Sequence, residues 1–341
     1  MQQPANPLRH QPVQGVHGRL RLAALAVIVG VGGLLAPMAC AQDFPSRPVK
    51  ILVGSAPGGG VDAFSRVVAQ KLQELWGQPV LVENKLGASA SIAADFVAKS
   101  APDGYTVVMG IPNSHTIGPH VLKLPYDALR DFTPITLVME VPHVLVVRQN
   151  LPVKDMQELV AMAKANPGKL NYYSSGIGST QHLAGEMFNL MAGVKVVHIP
   201  YKGSAPAIAD VLGGTVTMGF DPTSATLGQI QGGKLKVLAV AAPRRASALP
   251  NVPTTAEAGY PGLEMLTWYG LFGPPNMPRA IVDKWQRDVA RVVAMPDVQE
   301  RIAAVAAEPR ASTPEEFTIF VRDQYAKMGK LVKDANVKAE E

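Results

Sequence analysis

Residues 49–62 read V-K-I-L-V-G-S-A-P-G-G-G-V-D, and the change of pattern inside this stretch decides the fold. Val49 to Val53 form a short β-branched run that predicts a strand, Gly54 to Gly60 predict a turn, and a helical period begins near Asp62. A strand therefore feeds a helix N-terminus through glycines. The consecutive Gly58, Gly59 and Gly60 permit positive φ and carry no Cβ, so main-chain N–H groups can face an incoming group directly. Unbonded first-turn amides and the positive end of the helix dipole suit that spot to an anion. A plain tight turn, with Asp62 as an ordinary N-cap, accounts for the same residues without a ligand. Nucleotide motifs fit less well: the third glycine of G-x-G-x-x-G is missing, and no Lys-Ser/Thr pair follows.

Outward from this loop, Phe64, Val67, Val68, Leu72, Leu75 and Trp76 recur at helical spacing over 62–76. A strand over 79–83, a helix ending near Lys99 and a strand over 105–109 follow. Alternation at these lengths means βαβ units and a mostly parallel sheet. Ligands bind such sheets beyond the carboxyl ends of the strands, where Pro57, the glycines, Ser89 and Asn113 fall. The strand-rich run 132–148 contains Pro134 and Pro142 and is expected as two pieces meeting at a crossover between domains. A second glycine loop then appears, S-S-G-I-G-S-T-Q-H over 174–182, between a strand at 169–174 and a helix at 182–191. Two such loops facing one another across a cleft can hold two ends of one small anion. Ser175, Ser179 and Thr180 are equally explained as helix caps, and His182 as a packed histidine. Further strands are expected at 194–199, 216–220 and 236–241, and Trp268 to Gly273 reads as a strand returning to the first domain. Three helical patterns over 279–337 are expected to cover that domain.

The chain of 341 residues is 47% hydrophobic and 17% charged, enough for two domains. An uncharged apolar segment, 22–35, follows Arg19 and Arg21 and precedes Ala39-Cys40-Ala41, the pattern of a signal peptide cut after Ala41. Pro37-Met38-Ala39 fits a lipobox poorly, so Cys40 is not expected to be lipidated. Taking Arg9, Arg19 and Arg21 away with the leader leaves 29 of the 32 basic residues against 27 acidic ones. No basic stripe points to nucleic acid. The mature chain has no cysteine, which excludes disulfides, a thiol nucleophile and thiolate metal ligands.

Further motifs accumulate along the chain: P-D-G-Y-T at 102–106, L-P-Y-D at 124–127, A-N-P-G-K-L-N-Y at 165–172, Q-H-L-A-G-E at 181–186, P-Y-K-G at 200–203, Phe220-Asp221 and E-A-G-Y-P-G at 257–262. With P-G-G-G-V-D, this ordered set resembles the Bug family, the periplasmic solute receptors of tripartite tricarboxylate transporters. The resemblance implies an α/β, two-domain periplasmic binding protein fold of type II-like form, each domain a mixed, mostly parallel sheet flanked by helices, with the ligand cleft between domains. A signal peptide is expected at 1–41, a first domain at 42–143 and 246–341, and a second at 144–245. The implied ligand is a small carboxylate (a dicarboxylate, tricarboxylate, acidic amino acid or aromatic acid), held by amides, hydroxyls and waters rather than by an arginine. Carried over, Gly58, Gly59, Gly60 and Asp62 lie on one lip, and Gly178, Ser179, His182, Lys202 and Asp221 on or near the other; Pro57, Ser89, Asn113 and Ser175 join them as candidate ligand contacts from their places in the loops. A monomer working with membrane permease subunits is expected, with no cofactor, metal or catalytic residue. Two departures touch the rim: Gly87-Ala88-Ser89-Ala90 stands where Gly-Ala-Gly-Gly is usual, and Gly118-Pro119 where Asn-Pro is common.

The rival reading is an exported serine hydrolase using Ser179 and His182 with Asp221. Neither loop gives G-x-S-x-G, and a Ser and His three apart at a helix start cap more naturally than they pair. A metalloenzyme reading finds no H-E-x-x-H, and no cysteine beyond the leader's Cys40.

Overall fold

Strand β1 (Val49–Val53) buries four of its five side chains, and around it the first lobe assembles. The computed structural model describes residues 1–2, 44–335 and 337, so the expected leader and its cleavage site lie outside the described residues, apart from Met1 and Gln2. The chain divides into a unit Met1–Phe44 and a unit Pro45–Glu341, and the strands and helices of the described residues all belong to the second. From β1, helix α1 (Gly60–Trp76) leads to β2 (Val80–Asn84), and helix α2 (Ser91–Ala98) to β3 (Thr106–Gly110). Ile51 pairs in parallel with Val82 on one side and Val107 on the other. Phe64, Val68 and Leu72, one helical turn apart, bury one face of α1.

The long run of the middle chain is one strand, not two. β4 (Thr133–Arg148) is continuous, and its first part pairs antiparallel with β9 (Leu266–Gly273) as far as Pro142. From His143 onward the same strand pairs with β7 (Met218–Pro222) and β8 (Leu235–Ala241). The prolines are tolerated because they sit where pairing is already interrupted: register shifts follow Pro134, and Pro142 is the last partner of β9 before the strand changes neighbours.

Beyond that change lies the second lobe. Helix α4 (Met156–Ala165) precedes β5 (Asn171–Ser174), which runs parallel to β6 (Val197–Pro200) and to β7. The short helix α3 (Gly118–Val121) falls earlier, between β3 and β4, while α5 (Thr180–Ala192), α6 (Ser204–Gly213) and α7 (Thr223–Gln231) flank the second lobe's strands. Alternate residues of β4 feed opposite faces: Leu145 and Val147 pack with Tyr172, Leu183 and Phe220, whereas Val144 and Val146 pack with Tyr173, Ile208 and Val211. Strand β9 returns to the first lobe and pairs with β3 and β4.

Helices α8 (Arg279–Val293), α9 (Pro296–Ala303) and α10 (Pro314–Asp334) close the chain, with the two-residue β10 (Glu308–Pro309) between α9 and α10. The expectation that all three cover the first domain needs a correction. Phe317 and Val321 pack there beside Trp268 and Phe272, yet Met328 and Val332 of the same α10 join the core cluster of the second lobe. At 21 residues the helix is long enough to span both.

Candidate functional site

The opening loop is shaped by an internal carboxylate. Helix α1 starts at Gly60 with Gly59 as its N-cap, so Asp62 lies inside the first turn rather than capping it. Buried Asp62 accepts from the Gly58 amide at 2.9 Å, from Arg66 through two nitrogens, and from Asn84 at 2.8 Å. Burial pushes its pKa upward, but the bonds from Arg66, Gly58 and Asn84 outweigh this and hold the carboxyl below its usual range. The Gly59 amide turns back to Ala56 O at 3.1 Å. That leaves the amides of Gly60, Val61 and Asp62, which have no intrahelical acceptor, as the donors at the helix end. Pro57 and Gly58 are exposed at the tip.

Beside this loop the chain takes an unusual path. Ala88, Ser89 and Ala90 have φ of 43°, 52° and 73°, three consecutive L-residues in the left-handed region. Ser89 Oγ donates to Ile177 O of the second loop at 2.5 Å. A second bond crosses nearby, from the Thr180 amide to Asn113 Oδ1 at 3.3 Å.

The second loop is held by its own helix. Ser179 caps α5 by accepting the His182 amide at 3.2 Å, and His182 Nδ1 in turn accepts the Gly178 amide at 3.3 Å. The Ser179 hydroxyl thus serves the main chain, and the imidazole is occupied, so the two do not form the nucleophile and base of the hydrolase reading. The His182 ring stacks on His198 at 4.0 Å, and His198 on Tyr172 at 5.0 Å. Burial lowers His182 to about 4 and, together with the His182 charge, lowers His198 to about 3. Both rings are neutral at pH 7.

Asp221, fully buried, collects three neutral donors: Ser204 Oγ at 2.8 Å, Tyr173 OH at 2.9 Å and Gln181 Nε2 at 3.0 Å. Ser175 Oγ donates to Gln181 Oε1 at 2.9 Å, so Gln181 links the second glycine loop to the buried acid. Burial raises Asp221 to about 6 against the pull of those three bonds. Among the described residues no cationic side chain pairs with it, and Lys202 is exposed on the turn before α6. Sequence reasoning missed Gln181 and Ser204. Ser204 carried a usable signal, since it stands at a helix start just after a strand and a short bend. Among the described residues no cluster of His, Cys, Asp or Glu is placed to hold a metal, and no helix is long and apolar enough to cross a membrane.

Residues 64–337 match the family described as tripartite tricarboxylate transporter family receptor. Protein BugT of Bordetella pertussis (strain Tohama I) is 34% identical over 319 residues, covering 93% of this chain and 98% of that protein. The solved structure of the periplasmic binding protein BugD superposes with a TM-score of 0.82 at 36% identity, covering 87% of this chain and 100% of BugD. An R. palustris protein solved with adipate, Rpa4515, superposes with a TM-score of 0.84 at 35% identity, over 87% of this chain and 99% of its own. The fold is that of periplasmic binding proteins.

Proposed function

This chain belongs to the tripartite tricarboxylate transporter receptor family, and on that premise we propose that it captures a small organic carboxylate between its two lobes and delivers it to membrane permease subunits. It is a receptor and not an enzyme. The observation that carries the reading is that the second glycine loop meets the first lobe beside that lobe's own glycine loop: Ser89 donates to Ile177, the Thr180 amide donates to Asn113, and Ala90, next to Ser89, abuts Gly54. The adipate held by the R. palustris neighbour supports the ligand class. Gly58, Gly59 and Gly60 on one side and Ser175, Gly178 and Ser179 on the other line the site in this reading. Asp62 and His182 set the shape of the loops. Export, with cleavage after Ala41, and division into domains at 42–143, 144–245 and 246–341 belong to the same proposal.

Magnitudes allow micromolar affinity without an arginine. Four charge-assisted hydrogen bonds at about 1.5–3 kcal/mol each supply about 6–12 kcal/mol, against at least about 4 lost on association. A micromolar complex needs about 8 kcal/mol, which modest apolar burial completes. Native mass spectrometry of the purified protein tests the reading: a retained small carboxylate is expected. Failure to bind adipate, L-malate, citrate, L-glutamate or benzoate in a calorimetric titration, or turnover of p-nitrophenyl esters, would overturn it.

A further inference from the structure

Charge is divided unevenly between the lobes. Residues 144–245 carry ten basic and five acidic side chains, a formal +5, whereas 42–143 and 246–341 carry 19 basic and 22 acidic ones, a formal −3. Such asymmetry within one chain points to an anionic partner for the basic half. The five acids of the second lobe are already engaged. Asp221 is buried, Asp155 caps α4, Glu158 faces Lys154, and Glu186 and Asp210 accept from the hydroxyls of Tyr172 and Tyr201.

The topology gathers the surplus at one pole. Parallel strands β5 and β6 start side by side at Asn171 and Val197, β7 starts beside Tyr172, and β4 ends at Arg148 beside Leu235, the first residue of β8. Lys169, Lys195 and Lys234 stand just before the starts of β5, β6 and β8, and Lys164 lies in the last turn of α4, which leads into β5. The Gly168 amide donates to Lys195 O at 2.9 Å and so joins two of these turns. All four lysines are exposed. Among the described residues the second lobe's cations with an ion-pair partner are Lys154, Arg244 and Arg245, so these four are unpaired. The C-termini of α4 to α7 point the same way and offset about half a charge each, which leaves a positive surplus.

Apolar exposure falls at the same pole. Leu190 and Met191 end α5, Leu212 ends α6, and Val197 opens the edge strand β6; these are the exposed large apolar side chains of the second lobe among the described residues. The second glycine loop lies at the opposite end of the same strands, after Ser174.

We propose that this pole of the second lobe docks on an anionic phospholipid surface, its lysines among the headgroup phosphates and Leu190, Met191, Val197 and Leu212 at the acyl boundary. The residue types favour lipid over a protein partner. Protein interfaces are anchored by arginine and aromatic rings and are depleted in lysine, whereas mobile ammonium groups suit scattered phosphates. Docked in this way, the protein keeps its glycine loops off the membrane, so docking and carboxylate capture are independent. On the receptor reading it is also held at the surface in which permease subunits lie.

Co-sedimentation of protein purified from the periplasm with vesicles tests this. Saturable binding is expected to vesicles of phosphatidylglycerol and phosphatidylcholine in equal parts, weakening as salt is added, with little binding to phosphatidylcholine alone. The triple variant Lys164→Glu, Lys169→Glu, Lys195→Glu should melt as the wild type does and lose about tenfold or more in vesicle affinity. Arg291→Glu, Arg301→Glu, Arg322→Glu makes the same change in net charge on α8, α9 and α10, and should lose less than about threefold. No binding to the anionic vesicles, or equal losses in the two triple variants, overturns the docking pole. Salt-sensitive self-association in sedimentation velocity, abolished by the lysine variant and without vesicle binding, assigns the pole to the acidic lobe of a second copy and overturns it too. Carboxylate titration enters none of these outcomes, so the receptor reading stands or falls separately.

Discussion

Ser89 donates its hydroxyl to the main-chain carbonyl of Ile177 at 2.5 Å, a bond between residues 88 apart that ties the rim of one lobe to the glycine loop of the other. It exists only with the lobes together. Ser89→Ala should therefore leave each lobe folded while removing about 1 kcal/mol from the closed form, a weakening of ligand affinity of roughly fivefold by titration calorimetry. Unchanged affinity would show that the bond does not report closure.

The same rim stores backbone strain. Ala88 has a φ of 43° and an exposed side chain. Replacing it by glycine sacrifices no packing and relieves the left-handed conformation. Ala88→Gly should raise stability by up to about 1 kcal/mol, the reverse of the usual effect of alanine to glycine within a helix. Denaturant unfolding reads the sign directly.

Gly60 and Gly59 are alike in the sequence and different in the fold. A Cβ at Gly59 meets the Ala56 carbonyl oxygen at 3.2 Å and otherwise only Ser55 near 4 Å, whereas one at Gly60 collides with Ser224 and Tyr269. Gly60→Ala should hold the lobes apart and weaken binding about tenfold or more, while Gly59→Ala stays near wild type. Equal affinities in the two variants would place the ligand elsewhere.

Asp221 sets a pH dependence. Its folded pKa, about 6 through burial, lies above the ordinary 3.8, so the folded state binds its proton more tightly than the unfolded chain. The resulting contribution is favourable at low pH and is lost as pH rises through about 6, a difference of roughly 3 kcal/mol. Asp221→Asn should therefore be relatively more stable than wild type at pH 7 than at pH 4, measured by chemical denaturation. The neutral His182, lowered to about 4 by burial, works in the opposite direction below pH 6.5, so the variant rather than the wild-type curve isolates Asp221.

Much of this was legible in the chain because local signals and tertiary context agree. The β-branched run before Gly54, the helical period after Asp62 and the second glycine loop before His182 each reach the structure within a few residues of expectation. The continuity of β4 was not legible, because proline argues against a central strand unless the strand is known to change sheets at that point. Nor was the reach of α10 into the second lobe, since the spacing of Phe317, Val321, Met328 and Val332 shows a buried stripe and not which core it enters. Asp62 illustrates the limit for the site. Its position beside the glycines suggests ligand contact, whereas its acceptor positions are filled by Gly58, Arg66 and Asn84. Tyr269 lies more than 200 residues from Gly60 and acquires its role only through the pairing of β9 with β3.

Small-angle scattering with and without a saturating carboxylate tests ligand-driven closure without an intermediary, because the two glycine loops belong to lobes joined by β4 and by the return segment 242–265. A smaller radius of gyration and the loss of the longest intramolecular distances are expected when the ligand is bound. An unchanged radius and distance distribution, with binding confirmed by calorimetry on the same sample, would contradict closure of the lobes around the ligand.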